Sequence, residues 1–135
     1  IICNGNISKP IKSFLNSSHG TVFVPRKRDK NKLKNWIAGT LQPCGTFVID
    51  KGAVSALKAG RSLLPVGVAG VDGSFQRGDT ILVETMQGKE IGRGLTAYSS
   101  DDARLIMGHN TDDILTLLGY RGRDEIIHRD DLVMN

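Results

Sequence analysis

Cysteine, proline and aromatic side chains are scarce in this 135-residue chain, which holds Cys 2, Pro 4, Trp 1, Tyr 2 and Phe 4. Cys3 and Cys44 stand far apart with no metal-type spacing. That excludes a disulfide framework and fits reduced thiols in the cytoplasm. On that reading the sequons Asn6-Ile7-Ser8 and Asn16-Ser17-Ser18 are chance matches, because glycosylation needs a secreted context. No run approaches the ~20 apolar residues of a membrane span. The longest uncharged stretches, such as 62–71, are broken by Gly and Pro, so no membrane partner is expected. The three histidines, His19, His109 and His128, have no ligand spacing to a cysteine or to one another. No Gly-x-x-x-x-Gly-Lys-Ser/Thr loop occurs, and Gly92-Arg93-Gly94 lacks the third glycine of a dinucleotide fingerprint.

What is abundant is glycine, 16 residues, which points to many tight turns between short strands. Hydrophobic residues are 39% and charged residues 24%, an ordinary folded composition rather than a disordered one. The length is that of one domain, able to bury roughly two-thirds of its unfolded surface.

The net charge of +4 hides an uneven distribution: residues 1–44 sum to +7 and residues 45–135 to −3. Six of the basic residues fall within the nine positions Arg26 to Lys34. The shift marks a boundary at Pro43-Cys44-Gly45, giving segments 1–43 and 44–135.

In the first segment Ile1-Ile2-Cys3 reads as the end of a buried strand. A helix follows, capped by Ser8, with Pro10 in its first turn and Ile11, Phe14 and Leu15 on one face; Gly20 stops it. Residues 20–25 read as a second strand. A strand–helix–strand of this size cannot cover a sheet alone, so it reads as the tail of a larger α/β domain, and the chain as a fragment. Residues 33–39 are expected to be a strand, with Trp36 a packing anchor at the junction.

The second segment alternates short strands and turns. Thr46–Ile49 is a strand, and Asp50 caps a helix that Gly60 ends. Val66, Val68 and Val71 fall in the next strand, before an Asp72-Gly73 turn. Thr80–Met86 and Lys89–Tyr98 form a hairpin about Gln87-Gly88. Ser100 and then Asn110 or Thr111 cap two short helices, ended by Gly108 and Gly119. A strand pair, Glu125–His128 with Leu132–Met134, closes the chain.

Three sets of residues carry a resemblance. Gly60-Arg61-Ser62-Leu63-Leu64-Pro65-Val66-Gly67-Val68, Val71-x-Gly73-x-Phe75-x-x-Gly78-Asp79 and Ile91-Gly92-Arg93-Gly94-Leu95 together resemble a PUA domain. The wider chain, through Trp36-Ile37-Ala38-Gly39, Gly94-Leu95-x-x-Tyr98-Ser99-Ser100, Leu118-Gly119-Tyr120-Arg121 and Ile127-His128-Arg129-Asp130-Asp131-Leu132, resembles the C-terminal region of bacterial glutamate 5-kinases. The leading Gly20-Thr21-Val22-Phe23-Val24-Pro25 resembles the end of that family's amino-acid-kinase domain. The expected fold is therefore mixed α/β: a mainly β PUA pseudo-barrel with short helices over 44–135, preceded by a kinase-domain tail over 1–43 with a basic loop at 26–34.

The resemblance implies a parent enzyme that phosphorylates L-glutamate with Mg-ATP to glutamyl 5-phosphate, the first step of proline biosynthesis. It also implies proline feedback and a homo-oligomeric assembly. ATP and L-glutamate would bind upstream residues, so no catalytic, metal or cofactor residue is assigned here. This stretch, which should bind no cofactor, should be inactive alone. The PUA module would regulate activity or support structure.

Two further patterns need weighing. His128 to Asn135 matches the protein-kinase catalytic loop, but an Asp-Phe-Gly, a strand lysine and a glycine-rich lid would have to accompany it. His128 and Asp130 are read instead as polar anchors of the closing strand. The run Arg26–Lys34 can be a solvated loop, a phosphate-facing segment or an RNA or oligomer contact. RNA or phosphate contacts, if made, fall to Arg26, Lys27 and Arg28 in that run and to Lys51, Lys58 and Arg61 around the first helix of the module. RNA is the less favoured partner, because 45–135 is net acidic and Phe47 and Phe75 read as core rather than as stacking rings.

Overall fold

The computed structural model describes residues 2–17, 20–23, 37, 39 and 42–135. It is mixed α/β, with one five-stranded sheet and short helices. The strands are β1 (Gly45–Ile49), β2 (Val68–Gly73), β3 (Thr80–Thr85), β4 (Glu90–Leu95) and β5 (Leu132–Met134). Their order in the sheet is β2-β1-β3-β4-β5. β1 pairs antiparallel with β2 and parallel with β3, in a register that sets Phe47 against Val83. β4 then lies antiparallel between β3 and β5.

The parallel β1–β3 pair needs a crossover, and helix α2 (Lys51–Lys58) and strand β2 supply it. Helices α3 (Ser100–Ile106) and α4 (Ile114–Leu118) follow β4. Alternation places Phe47 and Ile49 of β1 and Ile81 and Val83 of β3 on the inner face. Leu57, Ala103, Ile106 and Ile114 from the helices pack on them, with Leu63, Phe75, Tyr98, Ile126 and Ile127 from the connections. Phe47 and Phe75 meet edge to face at 5.5 Å. Each such buried side chain contributes about 1.5–3 kcal/mol of transfer free energy.

Backbone chemistry explains most boundaries. The Asp50 carboxylate accepts from the Ala53 N–H at 2.7 Å and starts α2. At the other end Gly60, at φ +75°, donates to Leu57, and Arg61 donates to Ala56, which together form a Schellman close. Gly92 sits where β5 crosses closely. A Cβ there would meet the Val133 carbonyl oxygen.

Several expectations are corrected. Glu125–His128 is not a strand paired with Leu132–Met134. β5 pairs with β4, and Ile127 makes an isolated bridge to Leu63. A 3-10 turn at Arg129–Asp131 redirects the chain between them. Val66 lies in the 3-10 turn Pro65–Gly67, not in β2, because Pro65 occupies the first position of that turn. The β2 strand also runs through Asp72-Gly73 instead of ending in a turn before them. Ser99, not Ser100, caps α3, accepting from the Asp102 N–H at 3.2 Å.

Near the start of the chain, helix α1 spans Pro10–Ser17. Lys9 rather than Ser8 precedes it, at φ 56°, with its carbonyl accepting from Ser13. The clash of the Pro10 ring keeps Lys9 out of the right-handed helix. Ile2 and Thr21 form an isolated antiparallel bridge through two 2.8 Å hydrogen bonds. The expected strand at 20–25 is described only to Phe23, and that at 33–39 only at Ile37 and Gly39. Ile37 has helical rather than strand backbone and is fully buried.

Candidate functional site

The basic residues expected around the first helix of the module are all exposed, and α2 sorts them onto two sides. Lys51 and Lys58, seven positions apart, share one face of the helix. Lys51 borders a cavity of about 290 Å³ with Ile49, Val54, Ser55, Met86 and Gln87. Lys58 borders one of about 760 Å³ with Val54, Leu57, Lys89, Ile91 and Met134. Val54 and Thr85 line both, so the two lie side by side. Arg61 faces elsewhere, into a mostly apolar cleft of about 370 Å³ formed by Ala53, Ala56, Leu63, Leu64 and Val66. The Schellman close sends the chain away from the lysine face after Gly60, which separates Arg61 from them. Arg26, Lys27, Arg28 and the whole run 26–34 lie outside the described residues, as does Trp36.

Lys89 was missed in the sequence. It follows the Gly88 turn and joins Lys58 only once the β3–β4 hairpin is folded against α2. Glu90 lines the same groove. Hydrogen bonds from Asn135 and then Arg93 hold its carboxyl below the ordinary value. The Arg93 contact is 3.1 Å.

A separate cleft of about 270 Å³ is lined by Gln76, Arg77, Ser99, Asp102, Tyr120 and Arg123, among others. Tyr98 closes its floor. Burial, more than the neighbouring Tyr120, Asp124, Glu125 and Asp102, pushes its phenol up to about 12. Tyr120 donates to Asp102 at 2.9 Å, and burial followed by that bond raises its own pKa. Phe47 and Phe75 are buried in the core as expected, Tyr98 is buried too, and of the module's Phe and Tyr rings Tyr120 reaches the surface. It lies in this cleft and not beside the lysines.

His128 accepts from the Asp130 N–H at 3.1 Å, and the Arg129 N–H donates to Ser62 at 3.0 Å. These residues pin the turn before β5. Among the described residues no group of three His, Cys, Asp or Glu side chains could hold a metal, and no helix is long and apolar enough to cross a membrane.

The PUA-domain family matches residues 45–118, which hold β1 to β4, α2, α3 and α4. The chain belongs to the PUA-domain family. Over nearly its whole length, the PUA region included, it is about 50% identical to the C-terminal part of glutamate 5-kinases. The glutamate 5-kinase of Paramagnetospirillum magneticum is 50% identical over 133 residues, covering 98% of this chain and 36% of the relative. That of Rhodopseudomonas palustris is 50% identical over 134 residues, covering 99% and 36%. The chain thus spans little more than a third of the length of these relatives. A solved PUA domain from Aeropyrum pernix K1 has a TM-score of 0.47 and 24% identity, covering 63% of this chain and 41% of that one.

Proposed function

We propose that this chain is the C-terminal portion of a cytoplasmic glutamate 5-kinase, with residues 1–43 ending the kinase domain and 44–135 forming the PUA module. The observation that carries the reading is the identity of one residue in two, sustained over nearly the whole chain, to proteins of that name. The parent would transfer the γ-phosphoryl group of Mg-ATP to the γ-carboxylate of L-glutamate and so begin proline synthesis. Its homo-oligomeric assembly is part of the same proposal.

The described residues do not fit Mg-ATP. They bring together no carboxylate cluster and no glycine-rich phosphate cradle of the kind that in-line phosphoryl transfer uses. Nucleotide, metal and glutamate are therefore assigned to the part of the parent that this chain does not span, and no catalytic step is assigned to these residues. The start of the chain supports a covering partner. Ile2, Ile11, Leu15 and Phe23 are each 64–70% exposed, an apolar surface suited to the upstream kinase domain.

The module's role on this reading is regulatory or structural. The test is ATP-dependent formation of glutamyl phosphate, trapped as hydroxamate, by the full-length parent with and without residues 44–135. A shortened enzyme that keeps activity but responds differently to proline or Mg places regulation in the module. Loss of activity together with folding makes it a scaffold.

A second reading, RNA binding, draws on the exposed Lys51, Lys58 and Arg61 about one helix. It is the weaker, because Arg61 faces away from the two lysines and, among the described residues, no aromatic ring stands beside them.

A further inference from the structure

The groove between α2 and the β3–β4 hairpin concentrates positive charge in a module whose balance is negative. Lys51, Lys58 and Lys89 rim it, and none of their three ammonium groups makes an ion pair or hydrogen bond among the described residues. Lys51 and Lys58 are separated by roughly 10 Å along the helix axis. Val54, Ile91 and Met134 form an apolar floor. Glu90, the one acidic side chain among the described residues of this lining, is already held by Arg93 and Asn135. Three desolvatable cations over an apolar floor call for an occupant with both carboxylates and aliphatic side chains. With no ring among the described residues of the lining, nucleobases find no stacking platform there.

The same chain carries such a surface. Residues 45–95 sum to +1, whereas residues 96–131 sum to −4. Within that acidic stretch the connection from α3 to α4 exposes Asp112 and Asp113 beside Leu115, with Leu105 exposed at the end of α3. Leu115 and Asp112 border one cleft together. A surface complementary to a pocket elsewhere on the same molecule makes a head-to-tail contact, and opposite charge fixes its register.

We propose that the lysine-rimmed groove of one copy receives the acidic, leucine-bearing α3–α4 connection of a second copy. The contact is heterologous, so copies add to a ring or to a short row. It is independent of catalysis and uses a surface other than the apolar start of the chain.

The experiment is sedimentation of the 135-residue chain over a range of concentrations, at about 50 mM and about 500 mM salt, since exposed charges are screened within a few ångströms at the higher value. Association should weaken at least about tenfold in Lys58→Glu/Lys89→Glu, and equally in Asp112→Lys/Asp113→Lys, as like charges now face one another. Mixing the two variants should restore it, because each supplies the partner surface the other needs. All four side chains are exposed, and circular dichroism checks that both variants fold. Three results overturn the proposal: a chain that stays monomeric, association indifferent to salt and to the reversals, or variants that fail to complement. Binding of an RNA oligonucleotide that depends on Lys58 and Lys89, with the chain still monomeric, also overturns it in favour of nucleic acid.

Discussion

The hydroxyl of Tyr98, at the end of the β4 connection, donates to the backbone carbonyl of Arg123, twenty-five residues later. Gly122 makes room for it, since a side chain there would collide with the Tyr98 ring and hydroxyl. This bond, with the Leu63–Ile127 bridge and the Ala97 N–H bond to Ile126, ties the segment after α4 to the core, where Ile126 and Ile127 are fully buried.

Replacing Tyr98 with Phe should therefore cost about 1–3 kcal/mol, because the Arg123 carbonyl loses its donor at a partly buried site. Urea unfolding of the wild type and of Tyr98→Phe measures it. The bond also sets an alkaline limit. The folded-state pKa, about 12, lies above the ordinary 10, so the neutral phenol is favoured by folding. That contribution is complete below pH 10 and declines as pH rises from 10 towards 12. Tyr98→Phe should flatten the decline across this window.

Asp50→Ala removes the carboxylate that accepts from the Ala53 N–H at the start of α2. A loss of about 1 kcal/mol is expected, with Asp50→Asn restoring most of it. Thermal unfolding of the three proteins checks this. An unchanged midpoint in the alanine variant would show that packing of Leu57 alone sets the helix.

Gly92→Ala should destabilise more sharply than a surface glycine replacement. The added methyl would meet the Val133 carbonyl, a backbone atom of β5 that cannot rotate away. Overpacking of this kind costs about 1–3 kcal/mol. Gly78→Ala, where nothing stands near the position, controls for crowding, although its φ of +92° adds strain of its own. Hydrogen exchange should show β5 amides losing protection in Gly92→Ala before those of β3.

The local rules were readable because they act over a few residues. Asp50 before an apolar stretch, and Gly60 after it, bound α2 where the sequence placed it. One adjacent serine was chosen wrongly at α3, since Ser99 and Ser100 are chemically equivalent caps and only the turn of the backbone selects between them. What depended on distant partners was not readable. The bridge from Ile127 to Leu63 spans 64 residues and left no local trace beyond an apolar pair, which read as strand. The groove joining Lys58 to Lys89 likewise exists only once the hairpin lies against α2. Helical spacing did hold the signal that Lys51 and Lys58 share a face and that Arg61, past a left-handed glycine, does not.

RNA affinity is expected to be weak and nonspecific. Phosphate contacts through Lys51, Lys58 and Arg61 would neutralise up to three charges, giving a salt slope of magnitude near 2 for single strands. Fluorescence anisotropy with an oligouridine probe at decreasing salt measures it. Tight binding that persists at physiological salt would favour the RNA reading.

The most direct test of the central claim is hydroxamate trapping of glutamyl phosphate by the full-length parent and by the 135-residue chain, each with L-glutamate and Mg-ATP. ATP-dependent product is expected from the parent and none from the chain. A parent inactive on L-glutamate, or a chain that forms product alone, would contradict it.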